Sequence, residues 1–309
     1  MITLNTDKGL VRLESWDDVL TRPGFKVDVD PKSVKLERIL GSYSLSTYLQ
    51  CGLSSCRTRH GKGYLVATSD GHETNIGKDC GKKYFDVAFT NMERVFKADV
   101  RNKERREALI AFQHRIPEIE ARIELLLDAT SGGKWIRKHA SPLVDSFKGL
   151  PSRIVAIVGG LVRRRDGTLI TTRPATQEER DRMRAQGTPP KNQEYVEEVV
   201  GRLDGISVLY PENDLRKLLI TGMENLTVIK GVDVDALKNK VLRDLAKWIE
   251  EVDPALARAE EAVAAGRRLL TKSNLQQLHS FLSSKADKQT FSTYLDGLPS
   301  GTEALSNAA

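Results

Sequence analysis

Cysteines, aromatic residues and long apolar runs are all scarce in this chain of 309 residues. Its three cysteines are odd in number and too few for a disulfide framework, so the sequence predicts free thiols in a reducing compartment. The longest apolar run, residues 154–162, is far shorter than the ~20 residues that a bilayer-spanning helix needs. The first residues also lack the basic and apolar layout of a secretory signal. We therefore expect a cytoplasmic protein without a membrane-spanning segment.

Charge is plentiful but nearly balanced between the two signs. The chain has 48 Lys and Arg residues against 42 Asp and Glu residues, a net charge of +6. Such an excess permits binding to nucleic acid without requiring it. The chain is long enough for about two domains with real cores, and its composition indicates a helix-rich globular protein.

All three cysteines lie within thirty residues, and the same segment contains two histidines that could join them as metal ligands. Residues 63–68 are rich in β-formers, residues 69–71 are a turn signal, and residues 72–76 can return beside the first run, which predicts a β-hairpin. His60 and Cys80 then lie at the two feet of the hairpin, close to each other. His72 lies near the tip, roughly 15 Å from the feet at about 3.3 Å per strand residue. We therefore choose His60 over His72 as a partner of the cysteines.

The spacing C-x4-C-x3-H-x19-C, combined with a loop, a hairpin and a helix start, resembles a treble-clef-type zinc finger over residues 50–90. The expected ligands of one Zn²⁺ ion are Cys51, Cys56, His60 and Cys80. Four ligands fill a tetrahedral shell and leave no position for an activated water, so the site is expected to be structural. Three unliganded cysteines are the alternative.

Basic residues surround the predicted finger and are candidates for contacts with nucleic-acid phosphates. These candidates are Arg57, Arg59, Lys62, Lys78, Lys82 and Lys83. A solvated surface without a ligand is an equally good interpretation of them.

Two long amphipathic segments predict a helical arm. The first runs to residue 128, and its apolar residues recur in alternating steps of three and four. The second repeats such a stripe between residues 234 and 270. Pro117 and Pro254 lie within these stripes, and each predicts a kink or a break. We expect the segments to pair antiparallel within one chain, with coiled-coil association into a homo-oligomer as the alternative.

The remaining segments complete the predicted organisation. Residues 150–230 have short β-like runs at 167–172 and 206–210 and predict a small α+β insertion, with a mobile loop over 175–193. Asp30 and Pro31 predict the start of a helix that runs towards Leu40. The fold class is thus mainly α with small β elements (α+β). The expected divisions are residues 1–90 (zinc-finger domain), 91–149 and 231–296 (arm helices), 150–230 (insertion) and 297–309 (disordered tail).

Signatures of catalysis are weak. Asp70, Gly71, His72 and Asn75 resemble part of the nuclease variant of the treble clef, but no second histidine follows on the next helix. We therefore expect a non-enzymatic protein.

A second resemblance concerns residues 16–25. The residues Trp16 to Leu20 and Arg22 to Phe25, followed by the finger and a basic helix, resemble uncharacterised proteins encoded by phages and prophages. This resemblance implies a regulatory or counter-defence role. The leading expectation is a zinc protein that binds a macromolecular partner, preferably nucleic acid. The alternative is a protein-interaction adaptor, or an inhibitor of a host enzyme, that acts through the arm and its insertion.

Overall fold

The computed structural model describes residues 1–192 and 194–301. The described chain forms two compact units. Unit 1 contains residues 1–112 and 233–247, and unit 2 contains the described residues of 113–232 and 248–301. Helices predominate over strands, which confirms the fold class as mainly α with small β elements. Most of the tail expected over residues 297–309 lies outside the described residues.

The strands of the described residues form one five-stranded sheet and one two-stranded sheet. They are β1 (Ile2–Thr6), β2 (Gly9–Leu13), β3 (Leu36–Gln50), β4 (Arg59–Thr68), β5 (Glu73–Gly77), β6 (Thr168–Pro174) and β7 (Tyr195–Arg202).

The α-helices of the described residues range from single turns to one segment of 51 residues. They are α1 (Asp17–Leu20), α2 (Lys78–Asp128), α3 (Gly133–Ala140), α4 (Ser152–Arg164), α5 (Gln177–Ala185), α6 (Gly222–Lys230), α7 (Asn239–Leu269), α8 (Lys272–Leu275) and α9 (Lys285–Asp296).

The sheet of unit 1 is antiparallel with the strand order β2-β1-β3-β4-β5. Its central strand, β3, corrects the prediction of a helix from Asp30 towards Leu40. Asp30 and Pro31 form a turn instead, in which the Asp30 carboxylate accepts a hydrogen bond from the Lys32 amide at 3.0 Å. Residues from Leu36 onwards then satisfy their backbone groups by pairing with β4 and β1, contacts that a local sequence pattern does not contain.

Both faces of this sheet are covered by apolar side chains. On one face, β3, β4 and β5 pack against the first turns of α2, and the cysteines belong to this core. Its buried residues include Leu53, Tyr64, Val66, Ile76, Phe89 and Phe96. The other face carries Ile2, Leu4, Val19, Leu40, Tyr43 and Leu65.

Helix α2 is interrupted once, at Asp86, whose backbone has φ 44° and ψ −122°. The sequence predicts a helical start near Cys80 and a helix from Val87 onwards, and the interruption separates these two segments. It brings the Phe89 ring onto Gly81, where a Cβ atom would lie 2.5 Å from a ring carbon. The first turns of α2 are thereby fixed against the core of unit 1.

A buried carboxylate ties α2 to the sheet. The Tyr64 hydroxyl donates a 2.6 Å hydrogen bond to the Glu93 carboxylate, and the Lys97 ammonium group donates another at 2.6 Å. Burial raises the pKa of Glu93, but the hydrogen bonds from Lys97 and Tyr64 outweigh it and leave the pKa below its ordinary value.

In unit 2, β6 and β7 form an antiparallel hairpin. The strand predicted over residues 167–172 is confirmed as β6, but residues 206–209 form a 3₁₀ turn and the partner strand is β7. Within the segment expected to be a mobile loop, α5 is a helix. Its capping box joins the Thr176 side chain to the Glu179 amide and the Glu179 side chain to the Thr176 amide.

The expected antiparallel arm is wrong, because the described contacts between α2 and α7 in unit 2 run parallel. Arg115 pairs with Asp253 at 2.9 Å, and Arg122 pairs with Glu260 at 2.7 Å. The residue numbers of both partners increase together from the first ion pair to the second, which is possible only if the two helices run parallel.

Helix α6 explains how a parallel pair arises. Glu120 of α2 forms an ion pair at 2.9 Å with Lys230, which lies at the end of α6. Ile123 of α2 lies beside Gly222, at the start of α6. Helix α6 therefore runs opposite to α2 and returns the chain before α7 begins. The apolar stripes of α2 and α7 predict which helix faces are buried, but they do not predict whether the paired helices run parallel or antiparallel. Pro117 and Pro254 both lie inside continuous helical segments, so the breaks predicted at these prolines are not found.

We expect Tyr64→Phe to lower the free energy of unfolding by about 1–2 kcal/mol at neutral pH, because Glu93 loses a hydrogen-bond donor in a buried position. Urea unfolding measures this loss. The pKa of Glu93 is depressed in the folded state, so its contribution is present above the unfolded pKa and is lost as the pH falls through the folded value. The difference from the wild type should therefore narrow in acid.

The control is Tyr48→Phe, since Tyr48 is 65% exposed. An equal loss of stability in the two variants would contradict the role of the buried carboxylate.

Candidate metal centre and its surface

Cys51 and Cys56 lie in the loop between β3 and β4. The loop closes on itself because the Cys51 amide donates to the Thr58 carbonyl at 2.9 Å and the Cys56 amide donates to the Leu53 carbonyl at 3.1 Å. Arg57 adopts φ 53°, in the left-handed region, so the chain turns back sharply after Cys56. Both thiols consequently face the same side of the loop as the start of α2.

Gly52 allows this loop to lie against β5. Its amide donates to the Asn75 carbonyl at 2.8 Å. A Cβ atom at this position would lie 2.1 Å from the Thr74 hydroxyl, so another residue fits only if the Thr74 side chain or the loop shifts. Asn75 is buried and also donates from its side chain to the Gln50 carbonyl at 2.8 Å. The hairpin and the cysteine loop are therefore held together by backbone and amide groups.

Cys80 reaches the same point from the other direction. The predicted hairpin is confirmed as β4 and β5, and α2 begins directly after β5 at Lys78. Cys80 lies in the first turn of this helix and is buried.

The three sulfur atoms converge. All three lie within 4.8 Å of one another, and the Sγ atoms of Cys56 and Cys80 are 3.1 Å apart. Sulfur ligands of one tetrahedral ion with metal–sulfur bonds of about 2.3 Å are about 3.8 Å apart, so the observed spacing brackets that of a metal site. Cys51 and Cys80 are buried and Cys56 is half-buried. This cluster could hold a metal ion.

Protonation differs among the three thiols. Burial raises the pKa of Cys56, but hydrogen bonds with Thr58 and the Cys80 thiol outweigh it and bring the pKa to about 7. Burial and, after it, the neighbouring thiols raise the pKa of Cys80 to about 12, and burial also raises the pKa of Cys51. Only Cys56 is substantially ionised near neutral pH, so a bound cation would displace protons from the other two.

His60 is not part of this cluster. The group of ligand atoms within 4.8 Å of one another contains the three cysteines alone. The His60 Nδ1 atom is 3.0 Å from the Tyr43 hydroxyl, and its Nε2 atom is buried without a hydrogen-bond partner among the described residues. A histidine that binds metal through one ring nitrogen usually hydrogen-bonds through the other, which is the arrangement that Tyr43 offers. His60 as the fourth ligand stays a prediction.

Tyr43 is a neighbour of the centre that the sequence patterns do not reveal. Burial, followed by the charges of Cys51 and Cys80, raises the pKa of its hydroxyl. This hydroxyl lies 3.4 Å from the Asn75 side-chain nitrogen, and the Tyr43 ring is stacked with that of His60 at a centroid distance of 5.9 Å. His72 lies at the tip of the hairpin, where its carbonyl accepts from the Thr68 amide at 2.9 Å.

The six predicted phosphate contacts are all exposed side chains of unit 1. Arg57 is 3.5 Å from Asp28, and Lys78 is 3.9 Å from Glu93. Arg59, Lys62 and Lys82 have no ion pair among the residues that the structure describes.

These cations do not all share one face. Arg59 and Lys62 are three positions apart in β4 and therefore project from opposite sides of the strand. The cysteine loop and the start of α2 are joined directly, since the Tyr84 hydroxyl donates to the Ser55 carbonyl at 3.1 Å. We call the exposed cations of this junction and the adjoining start of β4 the finger surface, which comprises Arg57, Arg59, Lys78, Lys82 and Lys83.

No protein-family model, curated protein or solved structure matches this chain. Among the described helices, none has both the length and the apolar character that crossing a membrane requires.

We expect the chain to bind one metal ion, and exchange of Cys51, Cys56 or Cys80 for Ser to abolish binding, because each removes one of only three converging sulfur atoms. His60→Ala should weaken retention of the ion if the orphaned Nε2 atom completes the shell. Metal content after dialysis against a chelator measures both effects.

The matched control is His72→Ala at the tip of the hairpin, which should keep its metal. Loss of metal from the His72 variant and retention in the His60 variant would overturn the choice of ligand.

Removal of the metal should loosen the cysteine loop and the first turns of α2, because both depend on the same point of attachment. Hydrogen exchange should accelerate over residues 51–58 and 78–85, while the far-ultraviolet dichroism changes little, since most of the helix lies outside these segments. A general loss of helical signal on chelation would show that the long helices depend on the metal.

Proposed function

We propose that this chain is a non-enzymatic zinc protein that binds nucleic acid through the finger surface. The observation that supports this proposal best is that the segments that bring the sulfur atoms together also carry exposed cations. Arg57 follows Cys56 in the loop, and Lys78 and Lys82 flank Cys80 on α2. An ion held by the cysteines would fix the backbone that carries these side chains.

Zinc is the ion that this ligand set favours. Thiolates are soft ligands that suit Zn²⁺ in tetrahedral geometry, and imidazole suits it as well. Three cysteine sulfurs with His60 as the fourth ligand form a Cys₃His shell of the kind found in structural sites. The orphaned Nε2 atom of His60 supports this choice, because a buried ring nitrogen without a partner has a cost that coordination would remove.

A structural role fits the surroundings of the cysteines better than a catalytic one. Cys51 and Cys80 belong to the core that includes Leu53, Ile76 and Phe89. The proposed role of the zinc is therefore to hold the loop against the helix.

Nucleic acid is the preferred partner because the finger surface offers cations with weak competing interactions. The pair between Arg57 and Asp28 is long, and both side chains are more than 60% exposed. Surface pairs of this kind contribute little and yield readily to a phosphate. The free thiols also favour the reducing cytoplasm as the compartment. A regulatory or counter-defence role, implied by the resemblance to phage and prophage proteins, belongs to the alternative of a protein-interaction adaptor or inhibitor.

Exchanging Arg57, Arg59, Lys82 and Lys83 for Ser should weaken binding to a DNA or RNA oligonucleotide. The slope of log K against log salt should fall by about one for each phosphate contact that is lost. Fluorescence anisotropy over a salt series measures both quantities. The fold should be little affected, because exposed substitutions of this kind usually change stability by only about 0.5 kcal/mol.

The control removes the same charge from elsewhere in unit 1 by exchanging the exposed residues Lys8, Lys32, Lys35 and Lys240 for Ser. Equal losses in the two variants would indicate a general charge effect and contradict a defined surface. If the wild type binds neither DNA nor RNA at low salt, the nucleic-acid proposal fails and the protein-interaction alternative takes its place.

A further inference from the structure

Unit 2 contains a cavity that is separate from the metal centre and whose volume is about 670 Å³. This volume falls within the roughly 300–1,000 Å³ that is typical of sites for small organic ligands. The cavity is formed by α3, the segment that follows it, the 3₁₀ turns after residue 205 and the π-helical turn over residues 216–221. All of its lining residues belong to unit 2.

One side of the cavity is basic. Lys134, Arg137 and Lys138 are spaced at three and four residues on α3, so they lie on one face of the helix, and all three line the cavity. Lys148 and Lys217 add two further cations, whereas Asp214 is the single carboxylate among the lining residues.

Several of these cations lack a charge partner. Lys134 pairs with Asp128, and Lys148 lies 3.7 Å from Asp145. Arg137, Lys138 and Lys217 have no ion pair within the described ranges 1–192 and 194–301. The Arg137 side chain is also half-buried beside the cavity. An anionic group in the cavity would supply the charge partner that these cations lack.

The cavity also has an apolar wall. Val208, Leu209, Tyr210 and Pro211 form this wall, and Val144 lines the cavity in the segment between Lys138 and Lys148. A simple inorganic anion would contact the cations and leave this wall unused. A ligand that fits both sides carries phosphate groups on an organic part that is flat or apolar.

We propose that the cavity binds a nucleotide, with its phosphates against Arg137, Lys138 and Lys217 and its base and sugar against the wall formed by residues 208–211. The site is distinct from the finger surface and does not depend on the metal. The nucleotide is either a free molecule or the end of a nucleic-acid strand, since both present the same chemistry to the cavity.

Isothermal titration of the 309-residue chain with ADP at low salt tests this proposal. We expect the double variant Arg137→Gln and Lys138→Gln to bind ADP at least about tenfold more weakly than the wild type. The control, Lys285→Gln with Lys288→Gln on α9, removes the same charge from residues that do not line the cavity and should bind as the wild type does.

A second variant tests the cavity without touching the basic helix face. Val144 lines the cavity and is 47% exposed, so Val144→Asp should leave the fold intact and weaken ADP binding at least about tenfold by repelling its phosphates. Its control is Val228→Asp, because Val228 is 66% exposed and lies outside the cavity. Thermal unfolding confirms that each variant is folded.

Two partial ligands test the two-sided recognition. Adenosine and pyrophosphate should each bind at least about tenfold more weakly than ADP, because each uses one side of the cavity only. Pyrophosphate that binds as tightly as ADP would overturn the proposal, as would undiminished binding by the Arg137 and Lys138 variant. Absence of ADP binding at about 1 mM would overturn it as well.

Competition by a 5′-phosphorylated single-stranded oligonucleotide distinguishes the two sources of the nucleotide. It is measured in the finger variant, which lacks Arg57, Arg59, Lys82 and Lys83. Displacement of ADP by the oligonucleotide would identify a strand end as a ligand, and failure to displace it would identify the free nucleotide. Loss of nucleic-acid binding at the finger surface leaves ADP binding unchanged, so the two proposals fail independently.

Discussion

Unit 1 depends on the convergence of three sulfur atoms, two from the loop that precedes the β4–β5 hairpin and one from the helix that follows it. Cys51 and Cys56 approach from the loop before β4, and Cys80 approaches from the helix after β5. Their meeting requires the loop to lie flat on β5, which Gly52 permits because it has no side chain. It also requires α2 to begin at once after the hairpin. The remainder of the unit keeps this geometry in place.

The interruption at Asp86 serves the same constraint. A straight helix from Lys78 would carry its apolar residues past the sheet, whereas the positive φ angle at Asp86 redirects the chain and lays Phe89 on Gly81. The hydrogen bonds of Glu93 with Tyr64 and Lys97 then attach the next turns of α2 to β4. The short segment that carries Cys80 is therefore held from both sides. The exposed lysines beside Cys80 are thereby held in a fixed position, although they do not themselves stabilise the segment.

The sequence predicts local features of this structure well and the distant pairings poorly. The hairpin follows from β-formers on both sides of Ser69, Asp70 and Gly71, and the clustered cysteines follow from that hairpin. Strand β3 could not be read in the same way, because its partners are distant segments and Asp30 with Pro31 also fits a helix start. The stripes of α2 and α7 identify buried positions such as Ile116 and Leu256 but contain no information on direction. Thr176 and Glu179 have the spacing of a capping box, a local sequence signal from which the start of α5 can be predicted.

The two proposed binding surfaces show why net charge is a weak guide to partners. The net charge of +6 counts cations that already have an ion-pair partner together with cations that have none. Arg122 pairs with Glu260 across two helices, whereas Arg137 has no ion pair among the described residues. An anion that meets a cation of the second kind does not first have to displace a carboxylate. In both proposals, recognition of anions therefore depends on where the fold leaves a positive charge without a partner, a property that emerges only when segments distant in sequence, such as residues 134–138 and 208–217, are brought together.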